Sequence, residues 1–120
     1  MNCTISQAAQ QYHLEPYTLR YYEKEGILSS HKSTGGIRFY TAEDLEQLEM
    51  VCCLKSTGMS IKDIKKYFDL CAQGDDTAEQ RLEIFYEQRR HILDEIENLK
   101  RHLTKIDCKI QCYKEKCGAK

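Results

Sequence analysis

The chain has 120 residues, 18 Lys plus Arg against 19 Asp plus Glu, a formal net charge of -1 and 41% hydrophobic content, which fits a soluble globular domain with an appendage. Residues 1 to 71 hold 8 basic and 9 acidic side chains, so a polycation is excluded and any affinity for nucleic acid must come from a local patch. No apolar run approaches the roughly 20 residues of a membrane span, and the opening MNCTISQAAQ lacks the basic start and apolar stretch of a secretion signal, so a cytoplasmic location without membrane contact is expected.

The glycines and the single proline, Pro16, fall between stretches of helical spacing, which predicts a mainly α chain. Thr4 suits the N-cap of a first short helix to Gln11, with Ile5, Ala8 and Ala9 on one face, followed by a break at Tyr12, His13 and Leu14. Pro16 suits the first position of a second helix, where its missing amide hydrogen is not needed, and Gly26 suits its end. Two short helices joined by a tight turn make a helix-turn-helix candidate. The stretch ILSSHKSTGGIRFYT then reads as a small hairpin turning at Gly35 and Gly36, in the position of a wing.

Thr41, with Asp44 three residues on, predicts a capped third helix whose inner face carries Leu45, Leu48, Val51 and Cys52, ending at Gly58. Ser60 caps a fourth helix that buries Ile61, Ile64, Phe68 and Cys71, with Tyr67 at the rim and Leu70 off that face. After AQGDDT, the residues Leu82, Phe85, Arg89, Ile92, Ile96, Leu99, Leu103, Ile106, Ile110 and Tyr113 alternate at spacings of three and four, a heptad seam with one polar member. A helix over 77–116 would be about 60 Å long at ~1.5 Å per residue, too long for the preceding residues to cover, so the seam calls for a second chain.

The strings TLRYYEKEGIL (18–28), GGIRFYTAEDL (35–45) and GMSIKDI (58–64) closely resemble the MerR family of bacterial transcription regulators, and the resemblance covers essentially the whole chain. It implies a winged helix-turn-helix DNA-binding domain over 1–71, a linker at 72–76, a dimerisation helix over 77–116 and a tail at 117–120. It also implies an antiparallel coiled-coil homodimer on double-stranded promoter DNA, which untwists a long promoter spacer so that RNA polymerase can engage both promoter elements. The side-chain chemistry is compatible. Tyr17 and Thr18 open the second helix, where side chains reach base edges in the major groove, while Arg20, Tyr21 and Tyr22 supply backbone contacts, with one of the two tyrosines a candidate for the core. Arg38 and Tyr40 would act from the wing, and Lys55 matches a family position that meets phosphate.

Seven cysteines without an export signal point to reduced thiols, and the odd count argues the same way. Cys52 falls on the core face of the third helix. Cys53 falls about 100° away, where a thiol meets solvent, a partner helix or a ligand, with Lys55 nearby to favour thiolate. The string MVCCLKSTGMS resembles the aldehyde-responsive thiol branch of the family, which makes Cys53 the sensor candidate. Cys71, Cys108, Cys112 and Cys117 are secondary thiols and support an alternative, a thiolate-based metal-responsive regulator. The family's ligand loop is missing, however, since the helical pattern runs almost to KCGAK. A further alternative is an architectural DNA-binding module without effector. No phosphate loop, paired carboxylates, nucleophile elbow or metal-enzyme histidine spacing appears, so neither enzymatic activity, a resident metal nor a cofactor is expected.

Overall fold

A computed structural model describes residues 2–118, and the polar caps read in the sequence open three of its helices. Helix α1 (Ile5–Gln11) is closed by a capping box in which Gln7 N–H donates to Thr4 Oγ1 at 3.1 Å and Thr4 N–H donates to Gln7 Oε1 at 2.9 Å. Strand β1 (Cys3–Thr4) immediately precedes it. Helix α2 (Pro16–Lys24) starts at the proline, and α1 packs against it across a turn in which His13 takes φ +56. The chain leaves α2 through Gly26 at φ +81, a backbone conformation that calls for glycine, while a Cβ there would meet only the flexible end of Lys65, 3.1 Å away.

Strands β2 (His31–Lys32) and β3 (Arg38–Tyr40) form the expected wing hairpin. The sheet has a third member that the sequence did not announce: its order is β1-β3-β2, antiparallel throughout, with Cys3 opposite Tyr40 and Lys32 opposite Arg38. A two-residue strand has no alternation to read, and Thr4 is already engaged as a helix cap.

Helix α3 (Ala42–Ser56) is closed by the Thr41 and Asp44 capping box, and α4 (Ile61–Gln73) by Ser60, whose Oγ accepts from Asp63 N–H at 3.1 Å. Leu48 and Val51 of α3, Ile64 of α4, Leu19 of α2, and Ala8, Ile27, Tyr40 and Met59 are essentially inaccessible and form the centre of the core. Two helical faces are wider than a single stripe predicts. Leu54 is buried as well, because α3 is covered both by β3 and by α4. Leu70, expected off the buried face, is 8% exposed. The short 3-10 turn Asp75–Thr77 folds back on α4, and the Thr77 hydroxyl donates to Leu70 O at 2.7 Å, covering that position from outside the main core.

Helix α5 (Ala78–Gly118) follows that turn for 41 residues. The segment read as a linker is therefore the end of α4, Gly74 and the start of the turn, and the tail's last residues, Ala119 and Lys120, lie outside the described residues. The chain divides into two compact units at Ile84 and Phe85. No helix among the described residues is long and apolar enough to cross a membrane.

Asp44 is a stability prediction in itself. It is 5% exposed, its carboxylate accepts from Thr41 N–H at 2.9 Å, and it holds His31 of β2 at 3.0 Å. Asp44→Ala removes a cap and a buried charge partner together and is expected to destabilise the head by about 1–3 kcal/mol, read as a lower urea midpoint of helical circular dichroism at unchanged slope.

Candidate nucleic-acid interface

The hydrophobic spacing of α2 turns Leu19 and Tyr22 into the core and leaves Tyr17, Arg20, Tyr21 and Lys24 on the outside. These four stand at i, i+3, i+4 and i+7, a single face with two aromatic rings and two cations. Tyr17 is 70% exposed at the second position of the helix, and Thr18 beside it is half-buried, its N–H donating to Glu15 O at 2.9 Å. Lys24 was not singled out from the sequence. Its signal was the seven-residue spacing from Tyr17, visible once the helix boundaries are known.

Of the two tyrosines of which one is a core candidate, Tyr22 is the one that packs inward, and Tyr40, expected at the wing surface, is buried as well. Tyr22 is 7% exposed and belongs to the core cluster, and Tyr40 is fully buried with its phenol donating to the Glu23 carboxylate. Burial first, and the Glu23 hydrogen bond second, push the Tyr40 phenol far above the ordinary tyrosine range. Aromatic residues in a short amphipathic stretch satisfy both core and interface patterns, so a sequence position alone does not separate the two.

Arg38 remains at the rim of β3, half-buried, with Nη1 3.3 Å from Glu23 Oε1. A guanidinium carries five N–H donors, so this pairing leaves others for phosphate. Lys55 is exposed in the last turn of α3. Ile37, at the wing tip, is 65% exposed.

All seven cysteines are free. Cys53 is exposed on α3, while Cys52 is half-buried against the core, where burial and then Glu49 push its thiol up. The expected help from Lys55 does not follow from the helix: two residues on is about 200° round, and the i-4 neighbour on the Cys53 side is Glu49. Cys3, half-buried in β1, was passed over in the sequence, and burial pushes its thiol up too. Cys71 is half-buried, with Arg81 Nη1 4.0 Å from its sulfur, and Arg81 also donates to Thr77 Oγ1 at 3.1 Å and to Gly74 O at 3.3 Å. Burial and then a Cys71 hydrogen bond push the Tyr67 phenol up. Cys108, Cys112 and Cys117 are exposed on α5. Among the described residues, no group of three or more His, Cys, Asp or Glu comes together as a metal site.

Residues 3–71 match the model of the MerR HTH family regulatory proteins, and residues 45–110 match that of the MerR DNA-binding region. The chain belongs to the MerR family. MerR proteins are DNA-binding transcription regulators, and this chain is a regulator and not an enzyme. It is 40% identical over 116 residues to an uncharacterised HTH-type transcriptional regulator of Haemophilus influenzae, covering 96% of this chain and 86% of that one. It is 36% identical over 91 residues to the regulator AdhR of Bacillus subtilis, covering 75% of this chain and 65% of AdhR. Among solved structures it is similar to HiNmlR, a MerR family regulator lacking the sensor domain and bound to promoter DNA, with a TM-score of 0.78 and 40% identity over 98% of this chain and 94% of that chain. A MerR family regulator from Bacillus thuringiensis superposes with a TM-score of 0.73 at 38% identity, over 92% of this chain and 97% of its own. The MerR fold is thus a winged helix-turn-helix head followed here by a long C-terminal helix.

Proposed function

We propose that this MerR regulator is a homodimer joined along α5 that activates transcription by deforming the promoter spacer for RNA polymerase, and that an electrophile or oxidant switches it at Cys53. DNA is read by the α2 face of Tyr17, Thr18, Arg20, Tyr21 and Lys24, with Arg38 and Lys55 as phosphate contacts. The likeness to HiNmlR, solved on promoter DNA, supports this assignment of the head.

The observation that carries the switch is the contrast on α3: Cys52 is packed against the core, and Cys53, one residue on, is exposed. An accessible thiol there meets small reagents without unfolding the head. With an aldehyde, the sulfur bonds to the carbonyl carbon and the thiol proton passes to the carbonyl oxygen, giving a hemithioacetal. The added group changes what α3 presents, and hence the deformation of the bound DNA, without dissociating it. The bare apolar seam supports the dimer: Leu99, Leu103 and Ile106 are 64%, 60% and 56% exposed on the single chain. Among the described residues of one chain, no cluster of donor groups supports the thiolate-metal alternative.

The test combines peptide mapping with transcription. A limiting dose of a small aldehyde is expected to label Cys53 ahead of the other thiols. Cys53→Ser is expected to abolish induction while changing DNA affinity by less than about 1 kcal/mol, the scale of a surface substitution. Labelling that favours Cys108, Cys112 or Cys117 and is suppressed by zinc, or a Cys53→Ser chain that is still induced, counts against the switch.

A further inference from the structure

Tyr40 and Arg38 stand two residues apart on β3, on one side of the strand, and both reach the same group on α2. Glu23, in the last turn of α2, is 14% exposed at its side chain. Its Oε2 accepts from the Tyr40 phenol, while Oε1 accepts from Ser30 Oγ at 3.0 Å and pairs with Arg38 Nη1 at 3.3 Å. Ser30 belongs to the connection that leads from α2 into the wing. One carboxylate therefore collects three donors, from both approaches to the wing, onto the helix that carries Tyr17 and Tyr21. A carboxylate this far out of water is held by donors of this kind, since charge-assisted hydrogen bonds offset its lost hydration.

We infer that Glu23 is a positioning residue for DNA binding, which fixes the wing against α2 so that Arg38 meets the phosphate backbone at a set distance from the groove-facing side chains. This rests on the reading of α2 and the wing as the DNA-contacting elements. Phosphate contacts carry no sequence information, but they set the register in which base contacts are made. A free Arg38 still attracts any duplex. A held Arg38 favours the duplex whose backbone arrives where the guanidinium waits. Loss of Glu23 therefore separates two affinities: specific binding falls, and binding to arbitrary sequence stays level or rises as the masking negative charge goes.

The experiment uses the full chain with two duplexes, one selected by the native protein from a randomised library and one of scrambled sequence, titrated over a range of salt. Glu23→Gln keeps the shape and an acceptor for Tyr40 but removes the charge. It is expected to retain native helicity and cooperative melting, to bind the selected duplex about tenfold more weakly with a salt slope smaller by about 1, and to bind the scrambled duplex at least as well as native. Glu23→Gln combined with Arg38→Ala is expected to bind no worse than Arg38→Ala alone. Tyr40→Phe, which removes only one donor, moves the selected duplex in the same direction, and it carries the test should Glu23→Gln fail to fold. Equal weakening on both duplexes, in step with a lower melting temperature, overturns the inference, because Glu23 is then a stabilising residue only. Native behaviour of Glu23→Gln beside a weakened Arg38→Ala overturns it while leaving the interface standing. An Arg38→Ala chain that binds both duplexes like native overturns the wing assignment and the inference with it.

Discussion

Replacing Leu99 and Leu103 together by lysine is expected to yield a monomer that is as helical as the native chain and binds promoter DNA about 10²–10⁴-fold more weakly. The two leucines lie four residues apart on the apolar seam of α5 and are mostly exposed on the single chain, so the substitutions remove little packing within it. Lysine is a good helix former, which leaves the secondary structure in place. What changes is the seam: two cations at facing positions expel a second apolar stripe, since neither charge can be buried unpaired. On the proposed dimer DNA binding falls with it, because two linked heads would engage successive half-sites and the second engagement is intramolecular only while the heads are joined. Sedimentation separates monomer from dimer directly. A doubly substituted chain that still sediments as a dimer would show that α5 associates through another face.

The second large effect is in the head. Leu48→Ala is expected to destabilise it by about 2–5 kcal/mol, a large share of the roughly 5–15 kcal/mol that holds a domain folded. Leu48 is completely inaccessible on α3, which is covered by β3 on one side and α4 on another, so the site has little freedom to collapse around the missing atoms. A urea midpoint that falls strongly at unchanged slope confirms the cavity effect. DNA affinity measured well below that midpoint should remain near native, because Leu48 is buried in the core and is not one of the exposed α2 residues, so only the folded fraction is reduced.

Local chemistry was readable in this sequence where a single residue type answers a single physical need. Thr4, Thr41 and Ser60 sit where helices need an acceptor for orphan amides, Pro16 where an amide is dispensable, and Gly26 where φ is positive. The apolar seam of α5 was equally plain, since a long unbroken helix keeps its period. Residues that satisfy two patterns at once were the ones that local spacing leaves open. Tyr22 and Tyr40 look like interface aromatics until the core claims them, and the pairing of Tyr40 with Glu23 joins positions 17 apart in sequence, which no local spacing encodes. Leu70 was misplaced because its cover comes from the following turn and not from α4's own packing partners.

The wing sheet places its longest strand, β3, in the middle and gives each edge only two residues, Cys3–Thr4 on one side and His31–Lys32 on the other. Unpaired strand edges are templates on which other chains polymerise, and brevity is one of the means by which natural sheets deny them that role. Lys32 adds a charge to the outer edge. Two-residue edges, one of them carrying a lysine, therefore offer another chain little backbone to pair with, and they disfavour sheet-to-sheet association of heads.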